Sequence, residues 1–239
     1  MRGVFITLEG TEGSGKSTQI ALLEERLQKA GFRVRALREP GGTPIGEEIR
    51  HTLKHSEANA HMTPEAELLL LNASRAQLVS EVIQPALAAG EMVLCDRFYD
   101  STIAYQAFGR QLDKQKVSAI IAFATGGLEP DLTLVLRVPV EVSEARRQAR
   151  GTEGRRDRME EADREFFLRV ERGYEAIANA PGDRVRTVDA TQSVAEVSEA
   201  IWKWVEPVVK HPIAAGEVAC KSIGEWKTPS EVNPLGPDR

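Results

Sequence analysis

The nine residues "GTEGSGKST", 10–18, follow directly on the apolar run "VFITLE" and limit the fold more than any other stretch. Gly10, four intervening residues and then Gly15-Lys16-Ser17 satisfy G-x-x-x-x-G-K-[ST] at every position. Glycines let the main chain curl until successive N–H groups point inward at phosphate oxygens. The loop formed by Gly10, Thr11, Glu12, Gly13, Ser14, Gly15, Lys16, Ser17 and Thr18 is therefore expected to hold the phosphates of a nucleoside triphosphate. A helix beginning at Lys16 would add the positive end of its dipole. Lys16 is expected on the β- and γ-phosphates, and the Ser17 hydroxyl on Mg²⁺. The bland alternative is an accidental glycine-rich turn, and its placement between a strand-like and a helix-like run counts against that.

Beyond the loop, short apolar runs alternate with helical patterns. Strands are expected at 4–9, 33–37 ("RVRAL"), 91–96 ("EMVLCD"), 131–138 ("DLTLVLRV") and 184–190 ("RVRTVDA"). Ile20, Leu23 and Leu27 carry helical spacing after the loop, and Gly31 follows as a stop. A long helix is expected over 64–89 with a kink at Pro85, and another over 194–210. Such alternation predicts a three-layer α/β/α fold of the P-loop NTPase kind, with a five-stranded parallel sheet. The folded domain is read as residues 1–210. The tail, 211–239, has four prolines and no periodicity, and is expected to be irregular or disordered.

Composition removes several function classes. No apolar stretch approaches the roughly 20 residues of a membrane span; the longest, "ELLLLNASRAQLV", carries Glu67 and Arg75. The N-terminus runs straight into a strand, so no signal peptide is expected. Two cysteines, Cys95 and Cys220, make no disulfide framework and no zinc spacing, and the cytoplasm is the expected compartment. A net charge of −5 argues against a general nucleic-acid binder.

The loop alone does not separate a kinase from a GTPase switch or a motor. The guanine-reading "NKxD" and the switch "DxxG" do not occur. In "MVLCDRFYDSTIAYQ" (92–106) a strand is expected to end at Asp96, whose carboxylate would help hold the magnesium through water. Asp189 in "TVDAT" is the rival for that role. Arg97 favours Asp96: its fork of five donors suits a second, anionic phosphate. A motor ATPase would carry an acid in the position Arg97 occupies.

Six blocks in order closely resemble bacterial thymidylate kinases, which phosphorylate dTMP with ATP: "LEGTEGSGKST", "REPGGT", "SRAQL", "DRFYDSTIAYQ", "PDLTLVLRV" and an arginine-rich stretch before "FF". The resemblance spans about residues 2–208. It implies transfer of the γ-phosphoryl group of ATP to dTMP with Mg²⁺, on the route to dTTP for DNA replication. It also implies a homodimer built through the long helices, and no nucleic-acid or membrane partner.

The resemblance further implies site residues. Glu12 would turn from the loop toward the acceptor's 3′-hydroxyl, the alternative being a solvent-facing carboxylate. Arg38 and Pro40 in "REPGGT" would shape the acceptor pocket. Arg50 would lie near the acceptor's phosphate or base, or simply be a solvated helix charge. Arg75, which only donates hydrogen bonds, suits O4 of thymine and would face the amino group of cytosine. Leu71, one turn earlier, stands where the family often has a phenylalanine; it packs on the base or is a plain core leucine. Ser101 belongs to the same acceptor set. Thr102 and Gln106 would read the Watson–Crick edge, and Tyr105 would crowd the 2′ position.

Six arginines fall between 146 and 158, around Gly151 and Gly154. They are expected to form a mobile lid over about 146–161 that neutralises the transferring phosphoryl group. The loop Thr11–Ser14 has no arginine, so the catalytic one is expected here: Arg150 first, Arg155 or Arg156 next. A solvated helix end is the other reading; interleaved Glu153 and Asp157 speak against a nucleic-acid patch. Two further functions stay open: a kinase for another nucleoside or nucleotide, and an idle P-loop binding module.

Overall fold

A computed structural model of the chain describes residues 2–149 and 163–210. The strands β1 (Phe5–Glu9), β2 (Val34–Arg38), β3 (Met92–Asp96), β4 (Leu132–Arg137) and β5 (Val185–Asp189) form one sheet in the order β2-β3-β1-β4-β5. Every pairing is parallel. These are the five expected strands, four of them trimmed by one residue at one or both ends and β2 shifted by one. The helices are α1 (Lys16–Lys29), α2 (Pro44–Lys54), α3 (Pro64–Leu78), α4 (Gln84–Ala88), α5 (Tyr99–Thr102), α6 (Lys114–Thr125), α7 (Val140–Ala149), α8 (Arg164–Ala178) and α9 (Val194–Lys210).

Alternation within the strands sorts their side chains into two cores, one per sheet face. Phe5, Val93, Cys95 and Val135 pack with residues of α3, α6 and α8, among them Leu68, Ile121 and Val170. Ile6, Leu8, Leu94 and Leu134 pack with Ile20, Leu23 and Leu27 of α1 and Val197, Ile201 and Val205 of α9. The apolar spacing seen after the loop is thus the buried stripe of α1.

The long helix expected over 64–89 is interrupted upstream of Pro85. Backbone pairing widens into a π-helical turn over Val79–Ile83 before α4 resumes. Pro85 lacks an N–H and its ring crowds the preceding turn, so the helix accommodates it just upstream. A second π-helical segment, Ile103–Gly109, continues α5 and carries Tyr105 and Gln106.

Central β1 lies between β3 and β4, and at such a switch point the loops leaving neighbouring strands diverge and open a crevice. Beneath it, the fully buried Asp100 receives a two-pronged ion pair from Arg184, at 2.7 and 2.9 Å. Thr133 of β4 joins them, accepting from Arg184 at 2.6 Å. The pair ties α5 to the start of β5. Removing one partner of a buried ion pair costs several kcal/mol, less where one side chain is partly exposed. Arg184→Met is expected to lower unfolding free energy in urea by about 2–3 kcal/mol, and Asp100→Leu in the same chain to restore at least half.

Candidate active site

The loop between β1 and α1 has the shape its glycines allow. Gly10 adopts φ 134°, and a Cβ there would lie 2.4 Å from the Leu136 carbonyl oxygen, so no side chain fits. Gly15 caps α1 at φ 92°. Lys16 folds back over the loop, its Nζ donating to the carbonyls of Gly10 (3.1 Å) and Thr11 (2.9 Å). Burial and the nearby Arg97 charge push its pKa down to about 8. Thr11 Oγ1 is buried without a hydrogen-bond partner among the described residues. A phosphate seated in the loop would offset the positive charge and accept from that hydroxyl.

Ser17 Oγ donates to Asp96 Oδ2 at 3.0 Å, because Asp96 ends β3 opposite Leu8 of β1. Asp189 ends the outer strand β5 and is engaged by Thr191, whose backbone and hydroxyl both donate to it. The geometry therefore pairs Ser17 with Asp96. One hydroxyl and one carboxylate, both hard oxygen donors, fit a Mg²⁺ that keeps phosphate and water as its other ligands. Among the described residues no cluster of three or more His, Cys, Asp or Glu forms a cage for an ion.

Arg97 is the hub. It occupies φ 71°, a left-handed conformation uncommon for a residue with a side chain. Its N–H donates to Leu8 O at 3.0 Å, holding the turn against β1. Its Nη1 donates to Gly10 O, Ser101 Oγ and Tyr174 OH at 3.0–3.1 Å, and Nη2 to Glu12 Oε1 at 2.8 Å. Arg97 holds the Glu12 carboxyl far below the usual carboxylate range. So Glu12 does turn out of the phosphate loop, toward the neighbouring cleft.

Sequence reasoning missed what supports this hub. Glu9, fully buried at the end of β1, accepts from Phe98 N (2.7 Å), Ser101 Oγ (2.5 Å) and Tyr174 OH (3.0 Å). Burial first, and the charge of Asp100 second, push its pKa up to about 7. The available signal was an acid inside an otherwise apolar strand, which must find partners when buried. Tyr174, from α8, carried no such signal.

Next to the hub lies an open cleft. Of the residues expected there, Glu12, Pro40, Leu71, Arg75, Arg97, Ser101, Thr102, Tyr105 and Gln106 line it. Glu39, Leu53, Lys54 and Phe98 line it too and were not anticipated. Arg38 and Arg50 are absent from the lining. Arg38 grips Glu47 with two bonds of 2.7 and 3.0 Å, while Arg50 donates to the Pro40 carbonyl at 2.8 Å. Both fasten the 38–42 loop, Arg50 directly and Arg38 through Glu47, which also accepts from Gly42 N.

Arg75 is buried and held firmly. Its Nε and Nη2 donate to Glu39 at 2.6–3.2 Å and its Nη1 to Asn72 at 3.0 Å. Burial raises the pKa of Glu39, and Arg75 opposes that rise. One N–H on each terminal nitrogen of Arg75 stays uncommitted by these bonds. Leu71 takes its place in the cleft wall, and the Phe98 ring packs there as well, 5.4 Å from the Arg75 guanidinium. Tyr105 lies under the Arg97 guanidinium at 5.1 Å, and burial pushes its pKa up to about 12. The expected lid arginines Arg150, Arg155 and Arg156, and the tail 211–239, lie outside the described residues.

An anion-binding loop at the centre of a parallel sheet, sharing an arginine with a second, partly apolar cleft, defines a P-loop kinase of small phosphorylated acceptors. The comparisons with known proteins make this specific. Residues 8–201 match the family model described as thymidylate kinase. The thymidylate kinase of Synechococcus sp. (strain JA-2-3B'a(2-13)) is 50% identical over 204 residues, 85% of this chain and 95% of that protein. The thymidylate kinase of Pseudomonas syringae pv. tomato is 49% identical over 203 residues, again 85% and 95%. The crystal structure of thymidylate kinase from Ehrlichia chaffeensis superposes with a TM-score of 0.70 at 28% identity, covering 86% of this chain and all of that one. The chain belongs to the thymidylate kinase family.

Glu9 gives the site a pH signature. Its folded pKa, about 7, lies above the ordinary 4.5, so between those values the folded state holds a proton that the unfolded state has lost. Stability from this group is full below about pH 4.5 and is lost as pH rises through 7. Glu9→Gln is expected to flatten the fall in urea-unfolding free energy between pH 5 and 8 by a few kcal/mol, at roughly 1.4 per pKa unit. An unchanged slope in the variant would show that Glu9 does not titrate there.

Proposed function

We propose that the chain transfers the γ-phosphoryl group of ATP to the 5′-phosphate of dTMP, giving ADP and dTDP, which lies on the route to dTTP. The observation that carries this reading is Arg97, 3.0 Å from the Gly10 carbonyl of the phosphate loop and yet part of the acceptor cleft. One guanidinium can then hold the nucleophilic phosphate in line with the donor.

The acceptor monoester is largely dianionic near neutral pH, with its second pKa about 6, so no general base is needed. Lys16 and the loop amides hold the donor phosphates, and Arg97, kept in place by Glu9, Ser101 and Tyr174, holds the acceptor. Ser17 and Asp96 would hold Mg²⁺, which neutralises charge on the donor phosphates. Glu12 meets the acceptor's 3′-hydroxyl, and Tyr105 narrows the cleft at the 2′ position. Arg75 donates to O4 of the base, with Leu71 and Phe98 against the ring. Closure of the 146–161 segment would bring Arg150, or else Arg155 or Arg156, onto the transferring group and exclude water.

We also read the working form as a homodimer. Phe123 of α6, Leu69 of α3 and Ile45 of α2 are large apolar side chains left exposed, Phe123 at 91%. Helix α3 packs against both α2 and α6, so these residues belong to one helical layer. No helix among the described residues is long and apolar enough to cross a membrane. Two charged nucleotide substrates make the cytoplasm the compartment this reading implies.

Lys16→Ala and Arg97→Ala are each expected to lower kcat/KM for dTMP by about a thousandfold or more, with circular dichroism unchanged. Full turnover in either variant would remove the corresponding role. Among dTMP, dUMP, dCMP, AMP and GMP offered with ATP and Mg²⁺, dTMP should be preferred. The wild-type protein should use dUMP roughly 10- to 100-fold less well, as one missing methyl allows.

A further inference from the structure

Behind the cleft wall, Glu67 of α3 is 1% exposed. Its Oε1 accepts from Gln106 Nε2 at 2.9 Å and from Arg110 Nε at 3.2 Å, while its Oε2 accepts from Arg110 Nη2 at 3.1 Å. Neither the resemblance nor the motifs single it out. Glu67, Leu71 and Arg75 follow at i, i+4 and i+8, so one face of α3 carries all three.

A carboxylate paired with a guanidinium can only accept hydrogen bonds, which forces the NH₂ end of Gln106 toward Glu67. The amide oxygen is thereby turned to the other side. Gln106 is itself 1% exposed and lines the cleft, and its Oε1 meets no donor among the described residues. The cleft is left with an acceptor from Gln106 and donors from Arg75. We infer that Glu67 is a positioning residue for acceptor specificity: by fixing which end of the Gln106 amide faces the cleft, it selects a base with an oxo group beside a ring N–H.

This deepens the dTMP reading and rests on it. Thymine and uracil present O4 and N3–H, which match Arg75 and the Gln106 oxygen in turn. Cytosine presents an amino group and a bare N3, and mismatches both. Guanine shares the oxo/N–H pattern, so Glu67 acts on the sense of the hydrogen bonds and not on ring size. Arg110, stacked 4.7 Å from the Phe166 ring, holds the carboxylate from its far side.

The test compares dTMP with dCMP, the latter measured both as substrate and as competitive inhibitor. In Glu67→Gln the new amide can offer either end to Gln106, so the fixed sense is lost. The variant should show KM for dTMP raised about tenfold and the preference for dTMP over dCMP reduced about tenfold or more, with kcat within a few-fold. If it does not fold, Glu67→Gln with Arg110→Met leaves no buried unpaired guanidinium and is read the same way. Equal loss for both acceptors, or an intact preference, overturns the proposal. Gln106→Leu separates the two levels. Should it abolish the preference while Glu67→Gln leaves it intact, the base reading stands and the role of Glu67 falls. Should it leave the preference unchanged, Gln106 does not read the base and the inference fails with it.

Discussion

The contact on which the site depends is the one between Arg97 and the strand beside it. Its backbone N–H reaches Leu8 O and its side chain reaches Gly10 O, so one residue of β3's exit loop is fastened to both ends of the turn that opens the phosphate loop. Arg97 itself holds a positive φ, an unfavourable state for a residue with a Cβ. The conformation persists because Glu12, Ser101 and Tyr174 hold the guanidinium from three more elements. Donor and acceptor subsites are thus parts of one hydrogen-bonded body, and their spacing is set before any substrate arrives.

Three buried carboxylates repeat a single device. Glu9 holds Ser101 and Tyr174 around Arg97, Glu39 holds Arg75, and Glu67 holds Gln106. Each is expensive to bury and is satisfied by donors that include a residue of the cleft wall: Ser101, Arg75 and Gln106 in turn. A surface carboxylate could not do this, since water would compete for every bond. The cleft is preorganised by these carboxylates, two of them, Glu9 and Glu67, outside its lining and Glu39 within it.

The two π-helical segments contribute to the same core, with Val79 and Ile83 of one and Ile103 and Phe108 of the other in a single cluster. Ile103–Gly109 carries Tyr105 and Gln106, and an extra residue per turn changes which side chains share a face. Helical spacing placed Thr102 and Gln106 one turn apart on one face, and both do line the cleft. Glu67, four residues before Leu71, had the same spacing signal toward Arg75, yet nothing in it pointed to Gln106 as a partner.

The amino-acid order by itself determined the phosphate loop, the five strands and the α1 stripe, because each is written in contiguous residues with a local period or a local steric demand. It also carried Asp96-Arg97, since both follow a recognisable strand end. Only the tertiary structure decided that β1 lies between β3 and β4, that Asp96 and not Asp189 stands beside Ser17, and that Arg38 and Arg50 are engaged by Glu47 and the Pro40 carbonyl. It alone brought Glu9 to Tyr174, 165 residues away, and Glu67 to Gln106. A buried ion or amide takes its meaning from its partners, and these come from elements whose adjacency no local pattern encodes.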